Sequence, residues 1–246
     1  MTVVWAWALL DLPEEGFDEQ LAFWQQMTRT TLSPWRGEHD EFATLLPAAG
    51  DAWVKVQRTG GPAGVHVDLE VDDLDATRAL AEGLGARVSQ DLGSLFVCRS
   101  PGGFPFCLVA ARPGGPSRQV RDGQPSLLDQ VCLDIPADRY GAELDFWTRL
   151  TGWAQPSPHP DTSGLLPLVR PEGLPLRLLT QRLGEAGGEV KAHVDLACAD
   201  RASETLVHES LGARLGPVHE GWTVMTAPRG LRYCLTERAP GTGLRP

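Results

Sequence analysis

The string His-Val-Asp-Leu occurs twice in this chain of 246 residues, within "GVHVDLEVDD" at 64–73 and within "KAHVDLACAD" at 191–200. An internal duplication constrains a fold strongly, because each copy must bury the same faces. The register runs well beyond the phrase. A shift of 123 carries Asp11-Leu12-Pro13 onto Asp134-Ile135-Pro136. The same shift carries Phe17, Leu21, Phe23, Trp24 and Met27 onto Tyr140, Leu144, Phe146, Trp147 and Leu150. Gln57-Arg58 and Gln181-Arg182 lie 124 apart. From His66 onward the shift is 127, taking Leu84-Gly85-Ala86-Arg87 onto Leu211-Gly212-Ala213-Arg214. It also takes Pro101, Gly103 and Cys107 onto Pro228, Gly230 and Cys234. Between the copies "ARPGGPSRQVRDGQPS", 111–126, is rich in Pro, Gly and Ser and reads as a linker. The expected layout is a first domain at 1–112, a linker at 113–125 and a second domain at 126–246.

Each copy has the same internal order. A strand opens it, with Trp5, Trp7 and Leu9 alternating in one copy and Gln130, Cys132 and Asp134 in the other. A helix follows: Phe17, Leu21, Trp24 and Met27 fall on one helical face. Strands are expected around "EFATLLP" and "AWVKVQR". A second unit begins at the repeated phrase, read as a strand. Asp73 and Asp200 stand where an N-cap belongs, and Gly85 and Gly212 where a helix ends. "SLFVCRS" and "FPFCLVA" close the first copy around a Pro-Gly-Gly turn.

Charge and cysteine usage narrow the function classes. The net charge of −10 argues against nucleic acid, whose phosphates want a basic face. No apolar run reaches the ~20 residues of a membrane helix, so no membrane partner is expected. "MTVVWAWALLDLPEE" lacks a basic start before its apolar stretch and reads as a first strand, not a signal peptide. Five cysteines without a CxxC pair point to a reducing cytoplasm.

Two strand–helix–strand units per copy, written twice, resemble the vicinal oxygen chelate superfamily, which includes glyoxalase I, bleomycin-resistance proteins and extradiol dioxygenases. "ELDFWTRLTGW", "LLTQR", "AHVDLACAD" and "APRGLRYCLTE" carry the resemblance in the second copy. "QLAFWQQM", "KVQR", "VHVDLEVDDLDAT" and "SPGGFPFCLV" carry it in the first. It implies an α+β fold: two tandem glyoxalase-like domains, each of paired βαβββ modules forming a curved mixed sheet around a cleft. The phrase then recurs because it opens the second module of each domain. A monomer or a homodimer is expected.

The resemblance also implies where a metal would bind, on the first and last strands of both modules. The matching positions are Trp7, Gln57, His66 and Cys107 in the first domain and Gln130, Gln181, His193 and Cys234 in the second. These eight are the expected ligand-binding cleft. The glutamate usual in the last strand is a cysteine in both copies, and Trp7 cannot coordinate. The first domain thus counts one imidazole, one thiol and one neutral amide, with no carboxylate. No metal or other cofactor is expected; if a divalent metal binds, the set is Gln130, Gln181, His193 and Cys234. For both histidines the competing reading is structural, a strand imidazole bonded to backbone.

Other constellations are poorer. There is no GxSxG elbow and no phosphate-binding glycine loop. A Cys107–His66 nucleophile pair lacks a third, orienting group. His159 lies in the loop 157–163, read as solvent-facing, and His208 and His219 have no evident partners. Trp24 and Trp147 sit on the helical core face, whereas Trp5, Trp7, Trp35, Trp53 and Trp222 are candidates to wall a cleft or fill the sheet interior. No catalytic residue is assigned. The expected function is small-molecule binding of the glyoxalase or bleomycin-resistance type, without a full catalytic metal site. The alternatives are a metal-dependent lyase, isomerase or dioxygenase with its site in the second domain, and an interaction module.

Overall fold

A computed structural model describes residues 2–112, 124–156 and 164–244. Most of the expected linker, and the 157–163 loop with His159, lie outside the described residues. The first repeat runs β1 (Val3–Pro13), α1 (Phe17–Thr28), β2 (Thr30–Leu32), β3 (Phe42–Pro47), β4 (Val54–Thr59), β5 (Gly64–Val71), α2 (Leu74–Gly83), β6 (Arg87–Asp91), β7 (Leu95–Arg99) and β8 (Pro105–Ala110). The second runs β9 (Ser126–Ile135), α3 (Tyr140–Thr151), β10 (Leu165–Pro167), β11 (Arg177–Arg182), β12 (Lys191–Cys198), α4 (Arg201–Ser210), β13 (Arg214–Val218), β14 (Trp222–Thr226) and β15 (Arg232–Thr236).

The two repeats give two mixed sheets. The eight-stranded one has the order β2-β3-β4-β1-β5-β8-β7-β6, and the seven-stranded one β10-β11-β9-β12-β15-β14-β13. Within each, β1 pairs parallel with β4, β5 with β8, and β12 with β15, while the hairpins are antiparallel. This is the expected α+β architecture; β2 and β6, which the residue patterns did not single out, complete the βαβββ order of the first repeat.

Local rules explain the boundaries. Asp73 accepts from the Ala76 N–H and Asp200 from the Ser203 N–H, each at 3.0 Å, so both phrases end in the cap that starts the next helix. Gly85 and Gly212 follow those helices at φ +95°, a left-handed turn that closes a helix end without a Cβ clash. Phe17, Leu21, Trp24 and Met27 are buried, as the helical spacing requires.

Contacts gather the chain into two compact units, each drawing one module from each repeat. One unit holds Met1–Trp7, His66–Pro116 and Val131–Ala192. Its centre is aromatic, with Phe106 edge-on to Phe146 and Trp147. There the α3 carboxylate of Glu143, fully buried, accepts from the Gly102 N–H at 2.5 Å and from the Trp147 indole at 2.9 Å. Gly102 is needed because a Cβ would meet Val190 at 2.5 Å and Glu143 at 2.8 Å. The other unit holds Ala8–Val65, Ser117–Gln130 and His193–Pro246. Phe23, Trp24 and Tyr233 form its aromatic centre.

Candidate functional site

Strand β5 is buried along nearly its whole length. Its side chains alternate between faces, so Val65, Val67, Leu69 and Val71 share one face and His66, Asp68 and Glu70 the other. Polar residues at every second position of a buried strand are the signature of a site, since burying polar groups without use lowers stability. His66 is 9% exposed, Asp68 5% and Glu70 3%. Pairing with β8 puts Cys107 opposite Asp68. Donor atoms of His66, Asp68 and Cys107 lie within 4.8 Å of one another.

The count of no carboxylate in the first repeat is therefore corrected. Asp68 stands with His66 and Cys107, and Glu70 is two residues further along the same face. Neither carboxylate stands at one of the ligand positions that the resemblance implies. The signal was available in His-x-Asp-x-Glu, three chemical side chains in step with strand alternation.

Trp7 on β1 donates its indole N–H to Glu70 at 2.9 Å and stands edge-on to Trp5, ring centres 6.4 Å apart. Trp7 stays half-buried, whereas Trp5 is fully enclosed and Trp53 nearly so, its indole donating to the Leu128 carbonyl at 2.7 Å. Trp5 and Trp53 therefore fill the interior. Trp35 packs on Phe17, and Trp222 stacks on His219 at 4.5 Å. Gln57 lies half-buried on β4, across from Asp11 and Phe42 in register.

In the second repeat, His193 Nε2 lies 3.3 Å from Asp195 Oδ1, and Gln130 donates to Asp195 Oδ2 at 2.5 Å. Gln130 and His193 thus meet through Asp195, another residue that the matching of positions missed. Cys234 stands opposite Asp195 on β15. Gln181, on β11, accepts from the Cys132 thiol at 3.6 Å. The other sulfurs are quiet: burial pushes the Cys98 thiol up to about 11 and the Cys198 thiol up to about 12, so both stay protonated at neutral pH.

The donor geometry fits a divalent ion. Nε2–Oδ1 separations of 3.7 Å at His66–Asp68 and 3.3 Å at His193–Asp195 exceed an ordinary N–H···O bond. They bracket roughly 3.4 Å, the edge of a tetrahedron around an ion with ~2.1 Å bonds. Asp195 Oδ1, buried, accepts no hydrogen bond from the described residues.

His208 has partners after all. Its Nδ1 bonds the Tyr233 hydroxyl at 2.8 Å, and its Nε2 lies 3.7 Å from Glu204. Glu204 also accepts from the Ser126 hydroxyl at 2.5 Å and from Arg29 at 3.2 Å. His208, burial working against it, Ser126 and Arg29 together hold the Glu204 carboxyl down to about 2.

A glyoxalase-like domain family matches residues 7–109 and again 130–236. None of the curated proteins compared matches the chain. Among solved structures, an Mn(II)-bound glyoxalase from Novosphingobium aromaticivorans superposes with TM-score 0.65 at 17% identity, covering 99% of this chain and 84% of that one. A triple mutant of 4-hydroxymandelate synthase from Streptomyces coelicolor gives TM-score 0.60 at 14% identity, covering 99% and 96%. An extradiol ring-cleaving dioxygenase from B. fuscum gives 0.63 at 13%, covering 98% and 74%. At such identities the likeness speaks to fold. With the family matched twice, once over each copy of the repeated phrase, the chain belongs to the glyoxalase-like domain family and carries the domain in tandem.

Proposed function

We propose that the chain is a small-molecule-binding protein of the glyoxalase type, taking its ligand against the polar face of β5 in the first repeat. The observation that carries the reading is the stripe His66–Asp68–Glu70, three buried polar side chains on a strand whose other face is wholly aliphatic. A sheet with no use for them would be more stable with apolar residues there. Half-buried Trp7 adds an aromatic wall, and two carboxylates favour a ligand carrying positive charge. A sequestration role of the bleomycin-resistance kind fits that character. Free thiols at all five cysteines fit work in a reducing cytoplasm. Both repeats on one chain make a monomer or a homodimer sufficient.

The donor set His66–Asp68–Cys107 favours a second reading, a metal-dependent lyase, isomerase or dioxygenase. Those three residues would hold the ion, which when bound would polarise a substrate oxygen as a Lewis acid. In that reading Trp7 orients Glu70, and Glu70 sets the charge beside the bound molecule.

A thermal-shift screen of small organic molecules tests the first reading, run on metal-stripped protein and again with zinc or manganese. A ligand should raise the melting temperature by several degrees, about 2–4 °C per kcal/mol for a chain of this size. His66→Ala should abolish the shift and His193→Ala should leave it. Loss with His193→Ala alone moves the site to the second repeat, where the sequence expectation put any metal chemistry. A shift seen only with metal present selects the second reading.

A further inference from the structure

The family places its carboxylate ligand on the last strand of a module, and that position here is Cys107. The structure supplies a carboxylate from elsewhere, Asp68, on the strand that carries His66. Because Asp68 and Cys107 are register partners on parallel strands, the relocated carboxylate and the thiol face the same spot.

We propose that the first repeat holds a thiolate-bound cation of the zinc class, ligated by His66, Asp68 and Cys107. The inference rests on the metal reading above and says which ion it concerns. One imidazole nitrogen, one carboxylate oxygen and one sulfur make a borderline-soft donor set, which suits zinc and disfavours the oxygen-seeking magnesium, calcium and manganese. Three protein ligands leave a fourth position for a ligand or water, the pattern of zinc sites that do chemistry. Charge agrees: a carboxylate and a thiolate together neutralise a dication in a buried place. The ion's partners all belong to one module, on β5 and β8, so this site does not need the four-strand ligand set that the family uses.

Glu70 marks the first repeat as different from the second. It is 3% exposed, and among the described residues its hydrogen bond comes from the neutral indole of Trp7. The other unit's buried carboxylates Asp129 and Glu204 each have a guanidinium, Arg238 at 2.6 Å and Arg29 at 3.2 Å. At Glu70 the repeat alignment sets Ala197, and at Trp7 it sets Gln130, whose amide is spent on Asp195. The first repeat therefore offers a cation one more negative charge than the second does.

Cobalt(II) reports thiolate ligation directly, through a near-ultraviolet sulfur-to-cobalt charge-transfer band that needs no enzymatic activity. The full chain, stripped with chelator and kept reduced by a phosphine, is titrated with cobalt and then competed with zinc. The band should appear, and zinc should quench it. Cys107→Ser should remove about one thiolate-ligated equivalent per chain, and Asp68→Asn should weaken zinc roughly a hundredfold. Cys107→Ala repeats the test should the buried serine fail to fold, with circular dichroism confirming the native state. Cys234→Ser should leave the first-repeat equivalent in place. An undiminished band in folded Cys107→Ser or Cys107→Ala overturns the proposal. Stoichiometric metal without any thiolate band also overturns it while leaving the metal reading standing. No metal at all sinks both, and leaves the screen for organic ligands to decide the first reading alone.

Discussion

The two compact units are assembled from equivalent parts, yet one has an ionic hub where the other carries no charged side chain. In the second unit Glu204 is bonded by Ser126 and Arg29 and flanked by His208, which bonds Tyr233. The repeat shifts place Thr77, Val3, Gly152, Ala81 and Phe106 at the corresponding positions of the first unit. The aromatic centre is common to both: Phe146, Trp147 and Phe106 in one, Phe23, Trp24 and Tyr233 in the other. The fold therefore needs the aromatics and not the ions. The hub does something the aromatics cannot, which is to tell similar modules apart. Arg29 and Ser126 satisfy Glu204; Gly152 and Val3 could not. A chain with four modules of like shape can mispair, and a buried carboxylate with one acceptable partner makes mispairing costly.

The largest expected effect follows from removing that carboxylate. Glu204→Ala should lose about 3 kcal/mol in urea denaturation, because it strands the buried Ser126 hydroxyl and His208 ring and leaves half-buried Arg29 without its carboxylate. Thr77→Ala in the first unit should lose about 1 kcal/mol, the hydroxyl's single bond to the Asp73 carbonyl. The triple variant Glu204→Thr, His208→Ala, Tyr233→Phe imports the first unit's residues and should lose less than Glu204→Ala alone. Additive losses would show that the hub is a sum of pairs and not a unit.

Acid sharpens the comparison. Glu204 sits at about 2 in the folded chain against an ordinary 4.5, so its contribution is complete above about pH 4.5 and drains away as pH falls toward 2. Glu143 goes the other way. Burial raises its carboxyl against the pull of the Gly102 N–H, so it takes up a proton more readily folded than unfolded. Its cost is absent below pH 4.5 and grows as pH rises above that. Stability measured from pH 7 to 2 should therefore fall, by about 2 kcal/mol attributable to Glu204, and Glu204→Gln should flatten the decline. An equally steep decline in Glu204→Gln would place the acid sensitivity elsewhere.

How much of this was legible in the sequence follows from the range of each interaction. The capping aspartates Asp73 and Asp200, and the core face of α1, are written within a few residues and could be read. The β5 stripe was also local, but matching ligand positions drew attention to His66 and Cys107 and away from Asp68 and Glu70. His208 was only half legible: Glu204 stands one helical turn away, but Tyr233 is 25 residues away, and Glu204 is itself bonded from 78 residues away by Ser126 and 175 by Arg29. Trp5 and Trp53 looked able to wall a cleft; which way a strand tryptophan turns depends on strands that no spacing rule supplies.

The smallest effect isolates one residue that differs between the units. Arg29 ends α1 in the left-handed region, φ 53° and ψ 49°, where its counterpart Gly152 ends α3 at φ 71°. A non-glycine residue there costs about 1 kcal/mol, and Arg29 is kept because its guanidinium reaches Ser126 at 2.9 Å and Glu204 at 3.2 Å. Its side chain is 35% exposed, so water screens part of that gain. Arg29→Ala keeps the strain and loses the bonds, an expected loss of about 2 kcal/mol. Arg29→Gly loses the bonds but relieves the strain, and should lose about 1 kcal/mol. The reciprocal Gly152→Arg adds strain at a position where a Cβ would meet nothing within 4 Å, and should destabilise by a similar ~1 kcal/mol. Urea midpoints at pH 7 give all three. Should Arg29→Gly prove more stable than the native chain, the strain outweighs the guanidinium's bonds, and the hub cannot be what keeps an arginine in a glycine's place.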